Sequence, residues 1–145
     1  MNARLACVLV TSLLVASGCG DNPTSPDDTS SSTTTGTSSV VYEGTLAPNG
    51  SGFYSFKPST TGLVSANLAS LALVGHRDAL PVAVRIGVGV PKGEGCALSQ
   101  SVDTVAALVT QLTAPLMTTG IHCIGIVDIG TLPGVAVFAM RFTHP

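Results

Sequence analysis

Across residues 40–145, apolar side chains recur at every second position in short runs cut by turn chemistry. That period belongs to a strand with one buried face. Residues 82–90 show it most cleanly. Val82, Val84, Ile86, Val88 and Val90 share one face; Ala83, Arg85, Gly87 and Gly89 share the other. In residues 53–57, Tyr54 and Phe56 lie opposite Phe53, Ser55 and Lys57. In residues 135–143, Phe138, Met140 and Phe142 lie opposite Ala139, Arg141 and Thr143. Residues 63–73 begin with Val64, Ala66 and Leu68 opposite Ser65 and Asn67. The phase then shifts at Ala69-Ser70, which predicts a bulge or bend. Residues 40–46 and 121–129 read as further strands, while 105–112 fits helix or strand by pattern alone. Turns fall at Ala47-Pro48-Asn49-Gly50, Pro58-Ser59-Thr60-Thr61-Gly62, Lys92-Gly93-Glu94-Gly95 and Gly130-Thr131-Leu132-Pro133-Gly134. The pattern predicts an all-β domain, an antiparallel sandwich of seven to eight strands over 40–145. Val84, Ile86, Tyr54, Phe56, Phe138 and Met140 should be buried together.

The pattern changes completely towards the amino terminus. Residues 5–16 are an apolar run interrupted only by Thr11 and Ser12, and Arg4 precedes it. The run is short of the about 20 residues a spanning helix needs, and it suits the h-region of a secretory signal. Ala16, Ser17, Gly18 and Cys19 follow. This resembles a bacterial lipobox, with residues 1–18 as signal peptide, cleavage between Gly18 and Cys19, and Cys19 as the lipidated residue. Ala16 stands where leucine is most common in that motif. Cys7 has no apolar segment before it and reads as part of the h-region. The resemblance implies a mature amino terminus carrying acyl chains such as palmitate. More than one chain is enough for stable anchoring. Gly20 after Cys19, in place of an aspartate, favours the outer membrane of a cell envelope. Residues 19–39 hold only small, polar and turn-forming residues beyond that cysteine, a composition unable to offset the entropy of ordering. They read as a disordered Ser/Thr-rich tether with a span of roughly 25 Å.

Composition narrows the chemistry. The chain has six Lys and Arg against eight Asp and Glu, and only 10% of its residues are charged. No basic stripe is present to track a phosphate backbone, so no nucleic-acid partner is expected. Cys96 and Cys123 are the only cysteines of the domain, and an exported pair usually closes a disulfide. His76, His122 and His144 show no metal-ligand spacing, and no Asp-x-Asp cluster suggests calcium. His122 and Cys123 are adjacent on a predicted strand and so point to opposite faces. Asp128 reads as a turn cap. No GxSxG, HExxH, P-loop or dinucleotide fingerprint occurs. The expectation is no catalytic residues, no metal and no cofactor.

One further resemblance runs through residues 42–144. Phe53-Tyr54-Ser55-Phe56, Gly62-Leu63-Val64-Ser65-Ala66, Val84-Arg85-Ile86-Gly87 and residues 119–128 together resemble a bacterial pre-peptidase C-terminal domain. His122 stands where such domains usually have tyrosine. The resemblance implies a jelly-roll-like sandwich that assists adhesion, targeting or secretion without catalysing a reaction. The expected function is therefore a non-catalytic, lipid-anchored envelope module with a binding or structural role. The alternatives are an extracellular polysaccharide-binding module and a subunit of an envelope protein complex.

Overall fold

The computed structural model describes residues 36–145. The signal segment 1–18, Cys19 and most of the tether lie outside the described residues. Eight strands follow: β1 Ser38–Leu46, β2 Ser51–Phe56, β3 Gly62–Leu73, β4 Val84–Lys92, β5 Gly95–Thr104, β6 Leu112–Leu116, β7 His122–Val127 and β8 Ala136–His144. They form two four-stranded sheets, β1-β8-β3-β6 (sheet A) and β2-β7-β4-β5 (sheet B). All six strand pairings are antiparallel. Consecutive strands switch sheets except at β4–β5, so neighbours within each sheet are mostly distant in sequence. This is the eight-stranded jelly roll.

Inward rows from both sheets build the core. Leu46, Val64, Leu68, Leu71, Met140 and Phe142 come from sheet A; Val84, Ile86, Ile124 and Ile126 come from sheet B, and all ten are essentially inaccessible. β8 alternates buried and accessible residues along its whole length. Ala136, Phe138, Met140, Phe142 and His144 point inward. The β3 register shifts between Leu68 and Ser70, as the phase change at Ala69-Ser70 predicts. The extra residue keeps Leu71 on the core side, opposite Phe138. Gly44 faces the same ring; a Cβ there would lie 3.1 Å from Phe138 Cζ.

Several boundaries differ from the sequence expectation. β1 begins at Ser38, so Ser39 and Ser38 belong to the domain and not to the tether. Their backbones pair with Thr143 and His144, and backbone pairing does not require apolar side chains. Residues 105–111, the bulk of the expected element 105–112, are neither helix nor strand. They form a loop that ends as β6 begins at Leu112. This loop covers the edge that β3 exposes where β6 is absent. Ala107 and Gln111 donate backbone N–H groups to the Leu68 and Ala66 carbonyls. The Gln111 side-chain oxygen accepts from the Leu68 N–H at 2.8 Å. Asn67 Nδ2 donates to the Ala107 carbonyl. Side chains thus stand in for a missing strand, and the polar Asn67 and Gln111 serve structure.

β5 has no clear period-2 pattern, and its first half is displaced from an ordinary edge position. The β4–β5 register shifts between Val88 and Gly89. Beyond that point Ala97 and Leu98 lie across the outer face of sheet B. A Cβ on Gly89 would collide with the Ala97 carbonyl, and one on Gly125 would lie 3.2 Å from Leu98 Cδ2. The glycines alternating with valines in β4 therefore make room for the hairpin to fold over. The Cys96–Cys123 disulfide closes there, with the two Cα atoms 5.9 Å apart. Cys123 lies opposite Gly89, and Cys96 reaches it across β4.

Candidate functional site

Tyr54 and Phe56 share the inner side of β2, but β2 is an edge strand. Phe56 is buried, whereas Tyr54 is 40% exposed at the rim, contrary to the expected common burial. Tyr54 rests against Tyr42 and Phe142, with ring centroids 5.9 and 5.8 Å away. The chain of rings continues from Phe142 through Phe56 to both His122 and His144. Two histidines far apart in sequence therefore flank one phenylalanine, at 6.1 and 4.8 Å between centroids. Tyr42, also in this line, has its phenol pKa raised by burial. Among the described residues, no group of three or more His, Cys, Asp or Glu side chains could hold a metal ion.

Asp128 sits at the opposite end of the sandwich, where β7 leaves sheet B. Its Oδ1 accepts from the backbone N–H groups of Gly130, Thr131 and Leu132 at 3.1, 2.9 and 3.2 Å. Its Oδ2 accepts from the Asn49 N–H at 2.8 Å. Asn49 occupies the left-handed region, φ 57°, which asparagine tolerates in turns. Asp128 as a residue is 6% exposed. Burial pushes its pKa up, but the N–H donors and the Thr131 hydroxyl outweigh that and hold it below the usual carboxylate range. The turn-cap reading therefore applies, and the cap also ties the β1–β2 turn to the β7–β8 loop.

Asp103 makes a two-point ion pair with Arg85 directly across the β4–β5 ladder, at 2.7 and 2.9 Å. The Arg85 hydrogen bonds lower the Asp103 pKa against a smaller opposing effect of desolvation, and the guanidinium charge adds to the lowering. His76 and Asp78 are exposed on the β3–β4 loop. The acids and histidines are thus placed apart, except for the His122–Phe56–His144 stack.

Three concave regions stand out among the described residues. The first is a groove of about 510 Å³ on the outer face of sheet A. Two cross-strand rows line it, Glu43–Ala139–Ser70 and Thr45–Val137–Ala72. The β3 bulge brings Ser70 into line with Ala139, so the row pattern depends on that extra residue. A second cavity opens between the sheets on the β5–β6 side, and a third, smaller hollow lies under the folded hairpin beside Phe53. These concavities were not visible in the sequence. They arise from cross-strand neighbours separated by up to about a hundred positions.

Comparison with protein-family models finds no match, and comparison with curated proteins finds none either. The described residues define the class of protein as a jelly-roll β-sandwich closed by the Cys96–Cys123 disulfide.

Proposed function

We propose that the chain is a non-catalytic, lipid-anchored module of the bacterial cell envelope, with the outer membrane favoured, and that the domain binds an extended polysaccharide along the outer face of sheet A. One observation carries the binding part: the paired rows Glu43–Ala139–Ser70 and Thr45–Val137–Ala72. Small side chains at Ala139 and Ala72 let a flat chain approach the sheet. Glu43, Thr45 and Ser70 supply a carboxylate and two hydroxyls to exchange hydrogen bonds with sugar hydroxyls. The anchoring part rests on the Ser17-Gly18-Cys19 resemblance and the apolar run before it. The resemblance to pre-peptidase C-terminal domains agrees with an accessory role.

The test joins both parts. Cys19→Ala should move the protein out of the membrane fraction or block its processing. The native lipoprotein should co-sediment with purified envelope polysaccharide, and Glu43→Ala with Ser70→Ala should reduce that retention at least tenfold. An unmodified Cys19 on the mature chain overturns the anchor. Retention unchanged by the double substitution, or no retention, overturns the polysaccharide reading.

A second reading, a subunit of an envelope complex, is favoured by apolar side chains on the loops. Leu108 is 87% exposed, and Val74, Val105, Val109 and Val135 are also exposed. Val74 and Val135 adjoin, since the Val74 N–H donates to the Val135 carbonyl. Single polar substitutions at Leu108 and Val109 that release a co-purifying envelope protein would favour this reading over the first.

A further inference from the structure

The two sheets do not close over one another on the β5–β6 side. The first half of β5 lies across the outer face of sheet B, where the Cys96–Cys123 bond holds it. Val90 belongs to the inward row of Val84, Ile86 and Val88, yet it is 51% exposed. Facing it, β6 presents the small Ala114 between Leu112 and Leu116. A cavity of about 360 Å³ results. Val88, Ala114 and Leu116 supply buried apolar walls, and Met117 lies on its lining, 80% exposed. That volume is at the lower end of the range for small-molecule sites, which are mostly apolar with a few polar groups.

The polar residues of the wall are Ser99, Gln100, Thr118 and His122, and of these only His122 is buried. His122 lines the cavity and is 8% exposed. Its Nε2 lies 3.0 Å from the Thr118 carbonyl oxygen and 3.2 Å from the Thr118 hydroxyl. A carbonyl oxygen only accepts, so Nε2 carries hydrogen, and in the neutral ring Nδ1 is an acceptor. Nδ1 has no hydrogen-bond partner among the described residues. Every side-chain nitrogen or oxygen sealed from solvent there does have one. Nδ1 is therefore open to solvent, on a residue that borders the cavity.

We propose that this cavity binds a small, neutral, apolar alcohol. Its hydrocarbon body would lie against Val88, Ala114 and Leu116, and its hydroxyl would donate to His122 Nδ1. A carboxylate anion has no proton to donate to that acceptor and would lose hydration against the walls of Val88, Ala114 and Leu116. A plain hydrocarbon would leave Nδ1 dry and unpaired. The site is separate from the sheet A groove and stands whether or not polysaccharide binds there.

The chain contains no tryptophan, so Met117→Trp at the exposed lining position gives a single fluorescent reporter. The full-length chain carrying it, held in lipid nanodiscs, is titrated with cyclohexylmethanol and with cyclohexanecarboxylate. The alcohol should give a saturable change that the carboxylate does not give at equal concentration. His122→Phe, which keeps a ring against Phe56, should weaken alcohol binding about tenfold, the effect of one net hydrogen bond. Ala114→Leu should abolish binding by filling the wall. If circular dichroism shows that this variant has lost its fold, Val90→Phe fills the cavity from its exposed side. No saturable change with the alcohol, equal binding of the carboxylate, or binding indifferent to both His122→Phe and the filling variant overturns the proposal.

Discussion

At Asp128 a single carboxylate accepts backbone N–H groups from Asn49, Gly130, Thr131 and Leu132, joining two loops that are 79 residues apart at their Asn49 contact. Removing it would leave those donors to find water at a site that is largely closed. Its pKa is held below that of an unfolded aspartate, about 3.9. The sign follows from linkage. Stabilisation by ionised Asp128 is fully present above about pH 4, and it is lost as pH falls through the lower folded-state pKa. Asp103, lowered by Arg85, titrates in the same sense, but its pair is exposed and contributes less. The urea midpoint of the domain should therefore fall between pH 6 and pH 3. Asp128→Asn should lower the midpoint at pH 6 and flatten its decline into acid. A decline as steep as that of the parent protein would show that other carboxylates govern acid stability.

At the scale of the element, the β4–β5 hairpin couples backbone space to covalent closure. Gly89 allows Ala97 to cross the sheet, and only that crossing brings Cys96 to Cys123. In Gly89→Val the branched side chain would collide with the Ala97 carbonyl, so the hairpin must lift and the bond should fail to close. Thiol titration of the denatured protein should then find two free sulfhydryl groups more than in the parent. Replacing both cysteines by alanine keeps the glycine channel and removes only the closure. For a cysteine separation of 27 positions, the chain-entropy model gives a loss of about 3.5 kcal/mol, measurable by urea unfolding. Hydrogen exchange in that variant should rise in residues 94–98 and stay unchanged in β8. Uniform acceleration across both sheets would mean that the bond supports the whole fold and not the hairpin alone.

At the scale of the molecule, the sandwich depends on two inner faces made mostly of medium-sized aliphatic side chains. Ile86 lies fully buried on a central strand of sheet B and joins the same core as Leu68 and Met140 of sheet A. Ile86→Ala should cost about 2–5 kcal/mol, the range for emptying a tightly packed aliphatic site. Val90→Ala, on the same row but beside the open cavity, should cost much less. Equal losses at the two positions would show that the β5–β6 side is packed as tightly as the centre.

Much of this architecture was legible in the chain itself. Period-2 alternation marked β4 and β8, the phase slip at Ala69-Ser70 marked the bulge, and isolation in the domain marked Cys96 and Cys123 as partners. Each of these is a local signal, because a strand's buried face and a bulge are written in the side chains of the strand concerned. The mixed residues 95–104 gave no such signal, and β5 went unread. It is an edge strand whose first half is held by a disulfide and by glycines on other strands. The burial expected for Tyr54 failed for a related reason: period tells which face a residue is on, not whether its strand is at the centre or the rim of a sheet. The groove rows, the His122–Phe56–His144 stack, the reach of Asp128 to Asn49 and the cavity beside His122 were decided by tertiary structure alone. Jelly-roll topology places strands from opposite ends of the chain side by side, and the chemistry of a site formed that way belongs to neighbours that no local pattern can pair.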